Sequence, residues 1–329
     1  MRLNDIMHPG LSSLQRRRVM TEKVLIDCDV GVDDALALIL AFHSPDLEVK
    51  AVTGVNGNVP LSQVYENIQK VLSLIRPTPK PLIAKGADRP LKGQAIYAHS
   101  IHGSDGLGGA KIVRLEGEEW WEVFPGPSDE LITKMARQYP DELTLIATGP
   151  LTNLALALEK DRAGMEKLNQ LVIMGGAVRT KGNVTPHAEF NTYVDPLAAK
   201  RVFESCLPIT LVPLDATQQV FLTPQAMEER LKPINTVFSQ FLIEAIGYDF
   251  EIHRFRERER VYLHDPLAVG VVIDQDLVRK ERFPIDVETR EGEEYGKVLE
   301  SPGGSEIDVC LEVDRERFLD LFLAGLRLP

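Results

Sequence analysis

The chain has 329 residues, of which 44% are hydrophobic, and it carries a formal net charge of −12 with an isoelectric point near 5.2. This length and composition predict a globular protein that can bury a large core. The acidic balance argues against nucleic-acid and anionic-membrane surfaces, because both polyanions would repel the chain, so a small neutral ligand or a cation is the more compatible partner.

The cysteines and the amino terminus indicate a protein of the reducing cytosol. Cys28, Cys206 and Cys310 are an odd number without a C-x-x-C pair, which favours neither a disulfide framework nor a thiolate zinc site. No apolar run reaches the roughly 20 residues that a membrane span needs. Residues 1–20 contain three consecutive arginines but no hydrophobic stretch of a secretory signal, so we expect a loose N-terminal extension.

Short aliphatic runs alternate along the chain with stretches that have apolar residues at helical spacing. The predicted strands are 23–29, 49–55, 143–148, 170–176 and 208–214. The predicted helices are 33–43, 61–75, 128–139, 151–159, 195–205, 224–246 and 315–326. This alternation predicts a single α/β domain over 21–329, with a mostly parallel, Rossmann-like sheet flanked by helices. In such sheets the ligand site lies at the carboxyl ends of the strands.

Four carboxylates follow the first predicted strand. Asp27, Asp29, Asp33 and Asp34 fall within eight positions, and two like charges about 4 Å apart repel by roughly 4 kcal/mol at an effective dielectric near 20. Asp27 and Asp29 share one strand face, Gly31 permits a tight turn, and the other two open a helix, whose amino end favours negative charge. A hard divalent cation with many oxygen ligands would offset the repulsion, and calcium fits this better than magnesium.

The acidic run has three other interpretations. An EF-hand loop begun at Asp27 needs an oxygen ligand where Gly31 stands and a glutamate where Leu38 stands, so it fails. A haloacid-dehalogenase-type phosphatase with Asp27 as nucleophile is weakened by the same glycine, where that motif usually has Thr or Val. A non-catalytic calcium or pentose-binding protein remains the third alternative.

Four further segments supply polar groups for a cation and a sugar. They are TGVNGNVPL with Asn58, LIATGPLTNLALAL with the carbonyl of Thr148, VIMGGAVRTKGNVTPHAEFNTYVDP with Met174, Asn183, Glu189 and Asn191, and VYLHDPLAVGVV with His264 and Asp265. Amides and carboxylates of this kind can bind several hydroxyls at once. The Gly-rich segment 99–109, with His102, and the charged run 253–262 are each either a surface element or a lid over the pocket.

In order and spacing these motifs resemble those of nucleoside hydrolases. From about residue 22 to near the C-terminus the chain is similar to the inosine/uridine-type nucleoside N-ribohydrolase family. The combination of D-x-D-x-x-x-D-D, AEFN and HDP is the specific signal. The resemblance implies hydrolysis of the N-glycosidic bond of ribonucleosides to free base and ribose, by an enzyme of nucleoside salvage that forms a homodimer or homotetramer.

The resemblance also implies roles for individual residues. Calcium would be bound by Asp29, Asp34, the Thr148 carbonyl and Asp265, with Asp27 orienting these ligands. The ribose would be held by Asp33 and Asn58 at its hydroxyls, by Asn183, Glu189 and Asn191 on its 5′ side, and by Met174 near the ring. Asp29 would be the general base for the attacking water, His264 the proton donor to the leaving base, and His102 a second donor candidate.

Overall fold

The computed structural model describes residues 21–112, 117, 119–254 and 260–327. The predicted extension 1–20, residues 255–259 of the predicted lid and the last two residues of 21–329 lie outside these described residues.

In the described part of the chain, the strands are β1 (Glu22–Cys28), β2 (Leu47–Gly54), β3 (Leu82–Lys85), β4 (Glu122–Val123), β5 (Leu143–Ala147), β6 (Gln170–Met174), β7 (Ile209–Val212), β8 (Phe221–Leu222), β9 (Val261–Tyr262), β10 (Val278–Val287), β11 (Val298–Glu300) and β12 (Ser305–Val313). Ten of these described strands form one sheet in the order β11-β10-β12-β7-β6-β5-β1-β2-β3-β4. From β12 to β4 all neighbours are parallel, whereas β10 is antiparallel to both β11 and β12. The pair β8 and β9 stands apart from this sheet.

The helices of the described residues are α1 (Val32–His43), α2 (Leu61–Ile75), α3 (His99–His102), α4 (Ser128–Gln138), α5 (Thr152–Met165), α6 (Phe190–Val194), α7 (Pro196–Phe203), α8 (Leu214–Thr217), α9 (Pro224–Ala226), α10 (Val237–Arg254), α11 (His264–Ile273) and α12 (Arg315–Gly325). A π-helical turn spans Met227–Leu231, and 3-10 turns span Lys232–Ile234 and Gln275–Leu277.

Helices cover both faces of the sheet. Val24 and Ile26 of β1 belong to the hydrophobic cluster formed with α1, α2, α10, α11 and α12, whereas Leu25 belongs to the cluster formed with α4, α5 and α7. This alternation follows from the strand period of two. Parallel strands between two helical layers are buried on both faces and are therefore apolar at consecutive positions. The parallel strands of this chain have such sequences.

The predicted parallel strands are confirmed, as are the helices that follow them, apart from the helix predicted over 224–246. That segment is broken: α9 and the short turns end at Asn235, whose φ of 50° is left-handed, and α10 begins at Val237. Pro233 explains the break, because it lacks the backbone N–H that a helix interior requires. The antiparallel strands β10, β11 and β12 were not predicted. Among the described helices, none is both long and apolar enough to cross a membrane.

Candidate active site

The carboxyl ends of β1, β2, β5 and β6 meet at one edge of the sheet. Asp27 of β1 lies opposite Thr53 of β2 and Ala147 of β5. A cavity of about 280 Å³ opens at this edge, where the parallel topology predicts a ligand site. Predicted site residues that line it are Asp33, Asn58, His102, Thr148, Met174, Asn183, Glu189, Asn191, His264 and Asp265.

The other predicted acidic residues are fully buried next to the cavity lining. Asp29 Oδ2 accepts a hydrogen bond of 2.7 Å from the backbone N–H of Asn58. Asp34 Oδ1 accepts one of 2.7 Å from Thr148 Oγ1, and its Oδ2 accepts one of 2.8 Å from the backbone N–H of Gly31 at the start of α1. The acidic run is therefore fixed by hydrogen bonds from elements that themselves border the cavity.

Asp27 is bound by side chains that do not line the cavity. Its Oδ1 accepts hydrogen bonds from Thr53 Oγ1 at 2.5 Å and from Asn153 Nδ2 at 2.8 Å. Burial raises the pKa of Asp27 to about 7. Its contacts join β1 to β2 and to α5, which suits a residue that orients its neighbours.

The arrangement of the carboxylates fits a bound cation. One oxygen from each of Asp33, Asp34 and Asp265 lies within 4.8 Å of the others. Among the described residues, Asp29 Oδ1 and Asp33 Oδ1 are buried without a hydrogen-bond partner. Burial, and next the charge of Asp33, raises the pKa of Asp265 well above its ordinary value. Buried, unpartnered, mutually repelling oxygens are the donor set that a hard divalent cation requires.

Asn191 joins the ends of two strands. Its Nδ2 donates to the carbonyl oxygen of Thr148 at 2.7 Å and to that of Met174 at 3.2 Å. The Thr148 carbonyl, predicted as a calcium ligand, therefore already accepts one hydrogen bond. A carbonyl oxygen has two lone pairs, so one remains for a cation.

Glu189 and Asn183 have structural contacts as well as positions in the cavity wall. Both carboxylate oxygens of Glu189 accept hydrogen bonds from the backbone, including those from the N–H groups of Asn191 and Gly176 at 2.9 and 2.8 Å, so Glu189 caps α6. Asn183 Oδ1 accepts from the N–H of Phe190 at 3.0 Å, so its Nδ2 is the amide atom better placed to serve a ligand. The sequence did not indicate that Glu189 is a helix cap.

Two histidines flank the cavity, and burial lowers the pKa of each to about 4. His102 Nδ1 accepts a hydrogen bond from the N–H of Val32 at 3.2 Å, so its Nε2 carries the proton of the neutral ring. His264 Nδ1 lies 2.7 Å from Thr217 Oγ1, and the His264 ring lies 5.4 Å from the ring of Tyr262. Each ring is oriented by a neighbour and can present an Nε2 hydrogen to a ligand.

Several cavity residues were not predicted. They are Val32, Leu36, Ala98, Val184, Phe190 and Gln218; Ile101, Arg260 and Val261 also line the cavity and belong to the segments 99–109 and 253–262, for which a lid was one of the two interpretations. Most are apolar or aromatic, which suits a flat base, and Arg260 lies over the Phe221 ring at 4.3 Å. A pattern search based on polar ligands could not find them, since apolar lining residues look like ordinary core residues in a sequence.

Gly57 allows Asp29 to sit where it does. A Cβ at this glycine would lie 1.9 Å from Asp29 Oδ2. We expect Gly57→Ala to displace the carboxylate and to lower kcat for a nucleoside by on the order of 10²-fold, since a misplacement of about 1 Å can cost that much. Steady-state kinetics would measure this. A Cβ at Gly247 would meet no heavy atom of the described residues within 4 Å, apart from its chain neighbours and its own helix backbone. The matched change to Ala there should leave kcat unaltered, and equal kcat for both variants would contradict the expectation.

The chain is similar to known proteins over most of its length. The family model described as inosine-uridine preferring nucleoside hydrolase matches residues 24–320. An inosine-uridine preferring nucleoside hydrolase of Crithidia fasciculata is 34% identical over 93% of this chain and 98% of its own. A pyrimidine-specific ribonucleoside hydrolase, RihA of Photobacterium profundum, is 35% identical over 93% and 99%. The solved plant nucleoside hydrolase PpNRh1 superposes with a TM-score of 0.87 at 31% identity, covering 94% of this chain and all of its own.

Proposed function

The chain belongs to the inosine-uridine preferring nucleoside hydrolase family, whose members hydrolyse the N-glycosidic bond of ribonucleosides, and we propose that the cavity described above carries out this reaction with the residues assigned below. The observation that carries the proposal is the acidic cluster of Asp33, Asp34 and Asp265, two of which line a cavity that also has apolar and aromatic lining residues. Neither the phosphatase nor the non-catalytic alternative is supported.

We assign the acidic side to the ribose and a calcium ion. Asp29, Asp34, the Thr148 carbonyl and Asp265 would hold the ion, and the unpartnered Asp29 Oδ1 supports this choice. A bound calcium ion neutralises part of the carboxylate charge and makes a nearby water more acidic.

The sugar would be held by hydrogen-bonding groups that border the cavity. Asp33 and Asn58 follow β1 and β2 and would bind the ribose hydroxyls. The 5′ side of the ribose would be bordered by Asn183, Glu189 and Asn191, and Met174 would pack near the ribose ring. Because Glu189 already accepts backbone hydrogen bonds with both oxygens, we assign the direct contact on this side to Asn183 Nδ2 and give Glu189 the role of holding α6 in place.

The chemistry follows from where charge develops. Cleavage of the N-glycosidic bond builds positive charge on the sugar, which buried carboxylates favour. Asp29 takes the proton of the water that attacks C1′. As the base departs, its growing negative charge favours the protonated ring of His264, whose Nε2–H gives the base its proton and leaves a neutral imidazole; His102 is a second donor candidate.

A nucleoside panel tests the function as a whole. The protein is incubated with inosine and with uridine, and reducing sugar and free base are measured, with and without a chelator. We expect equimolar ribose and base from at least one nucleoside and loss of both with the chelator. Release of inorganic phosphate from phosphate esters without nucleoside cleavage would instead indicate the phosphatase.

Calcium binding should be visible without an activity assay. A ligand that binds only the folded state stabilises it by about 2.7 kcal/mol at 100 times its Kd, so Ca²⁺ should raise the thermal unfolding midpoint of chelator-treated protein. Asp34→Asn should remove that shift. Asp195→Asn, at a carboxylate equally buried but bonded to Leu91, Thr152 and Ala198, should keep it; a shift that persists in Asp34→Asn would contradict the ligand assignment.

We also propose that residues 21–329 form one catalytic domain of a cytosolic homo-oligomer. The location is supported by the cysteines, since Cys28, Cys206 and Cys310 are all unpaired in the described chain. The assembly is an expectation carried by the family resemblance.

A further inference from the structure

We propose that Asn67, which lies outside the cavity on α2, is a positioning residue that holds the loop after His102 against the acidic run. The inference rests on the substrate contact proposed above for His102. It concerns a residue that none of the sequence motifs included and that does not line the cavity.

The contacts of Asn67 join two segments that are far apart in sequence. Its side chain is fully buried. Nδ2 donates to the carbonyl oxygen of Val30 at 3.1 Å and to that of Asp105 at 2.8 Å. Val30 is the neighbour of Asp29, and Asp105 lies three residues after His102. A carboxamide has two N–H bonds, so one side chain can bind both carbonyls at once.

The other end of the amide is held by the same helix. Asn67 Oδ1 accepts a hydrogen bond of 3.0 Å from Gln63 Nε2, one turn earlier on α2. The two carbonyls already require the NH₂ end of the amide to face them, because a carbonyl oxygen only accepts, and the Gln63 contact is compatible with that direction. Gln63 touches neither segment through this bond, so it offers a matched control for the role of Asn67.

The loop that Asn67 binds is built for a close approach. Gly106 has a φ of 78°, and a Cβ there would lie 2.8 Å from Asn67 Nδ2 and 3.1 Å from the Val30 carbonyl oxygen. Only glycine accepts this backbone and this proximity without strain. The N–H of Gly108 donates to the His102 carbonyl at 2.9 Å, so the loop is tied directly to the residue it is proposed to place.

His102 is therefore attached to the acidic run from two sides. On one side its ring accepts from the N–H of Val32, and on the other its loop is attached through Asn67 to Val30. Without the Asn67 amide, the buried Val30 carbonyl and the half-buried Asp105 carbonyl would lose this donor, and the loop would settle elsewhere. The ring would then lose its fixed distance to the ribose side of the cavity, where it lies 3.9 Å from Asp33 Oδ1.

A double-mutant cycle tests the inference. Asn67→Ala should lower kcat/KM for the better nucleoside by about 10-fold, mostly through a higher KM, and His102→Ala should lower it at least as much. If Asn67 acts through His102, adding Asn67→Ala to His102→Ala should cost less than about twofold more, since coupled residues are not additive. If the decrease in kcat/KM of the double variant equalled the product of the two single decreases, the inference would be overturned, because a purely structural role of Asn67 predicts that result.

Two further variants complete the experiment. Gln63→Ala removes the contact to Oδ1 but leaves both carbonyls bonded, so kcat/KM should stay within about twofold of the unmodified protein; a loss equal to that of Asn67→Ala would overturn the inference. If Asn67→Ala does not fold, the same cycle is run with Asn67→Ser, which removes less volume, and the same outcomes apply. Unchanged kcat/KM in His102→Ala alone would refute the proposed role of His102 together with the inference, whereas an additive cycle refutes only the inference.

Discussion

Asp29→Asn is expected to lower kcat for inosine by about 10⁴, the upper end of what a general base contributes. The substitution is isosteric. The amide oxygen of asparagine can still accept the hydrogen bond from the N–H of Asn58, which now ends on Asp29 Oδ2. The amide NH₂ would replace Oδ1, the atom without a partner among the described residues, and it cannot take a proton from water. Turnover should therefore fall while the fold persists.

The measurement is kcat for inosine and uridine at saturating calcium, with the thermal midpoint as a check on folding. Calcium must be saturating because Asp29 is also a proposed calcium ligand. At lower calcium concentrations, weaker calcium binding by Asp29→Asn could not be told apart from loss of the general base. The matched control is Asp27→Asn, an equally buried carboxylate whose Oδ1 is bonded to Thr53 and Asn153. Asp27→Asn should lower kcat by no more than about 10-fold. Near-normal turnover by Asp29→Asn would exclude Asp29 as the proton acceptor.

The sequence predicted the parallel half of the fold because its signals are local. The run VLIDCDVGVDDALALILAF, residues 24–42, contains an apolar strand, a glycine turn and an apolar helix with acidic residues at its amino end. Each of these depends on neighbours a few positions away. The structure has β1 and α1 within one residue of the predicted bounds. Repeating such units fixes the topology, since crossovers between parallel strands have one hand.

The antiparallel strands near the C-terminus could not be predicted in the same way. In β10, the segment VRKERFPIDV mixes charges with apolar residues. Several of its charges pair with residues far away in the sequence: Arg282 with Asp308 and Arg279 with Glu312 of β12, and Asp286 with Lys200 of α7. Cross-strand pairs stabilise a sheet but leave no periodic signal in either strand alone. The strand order at this edge is likewise a long-range property.

The residues of the candidate site could be predicted because the carboxyl ends of parallel strands lie at the same edge of the sheet. The polar residues after β1, β2, β5 and β6 were expected to lie together, and they line or adjoin one cavity. The partners of those residues were not predictable: Asn191 bonds the Thr148 carbonyl, and Glu189 caps α6. Such contacts depend on side-chain directions set by packing. For the same reason Asn67, an ordinary helix residue in the sequence, gave no signal.

His264→Ala is the second substitution for which a large loss is expected. A departing purine is a poor leaving group, so removing the donor should lower kcat/KM for inosine by about 10³. A p-nitrophenyl riboside leaves without needing protonation, and its kcat/KM should fall by less than about 10-fold. The comparison of the two substrates therefore isolates help given to the leaving group from any general damage to the site.

The control for this experiment is a substitution that disturbs the ring without removing it. Thr217→Val takes away the hydroxyl that lies 2.7 Å from His264 Nδ1, so the imidazole stays but loses its orientation. Thr217→Val should lower kcat/KM less than His264→Ala does. The decrease should again be larger for inosine than for the p-nitrophenyl riboside. If His264→Ala lowered kcat/KM equally for both substrates, His264 would not be the acid. A residue that only shapes the pocket would affect both substrates alike, whether or not the leaving group needs a proton.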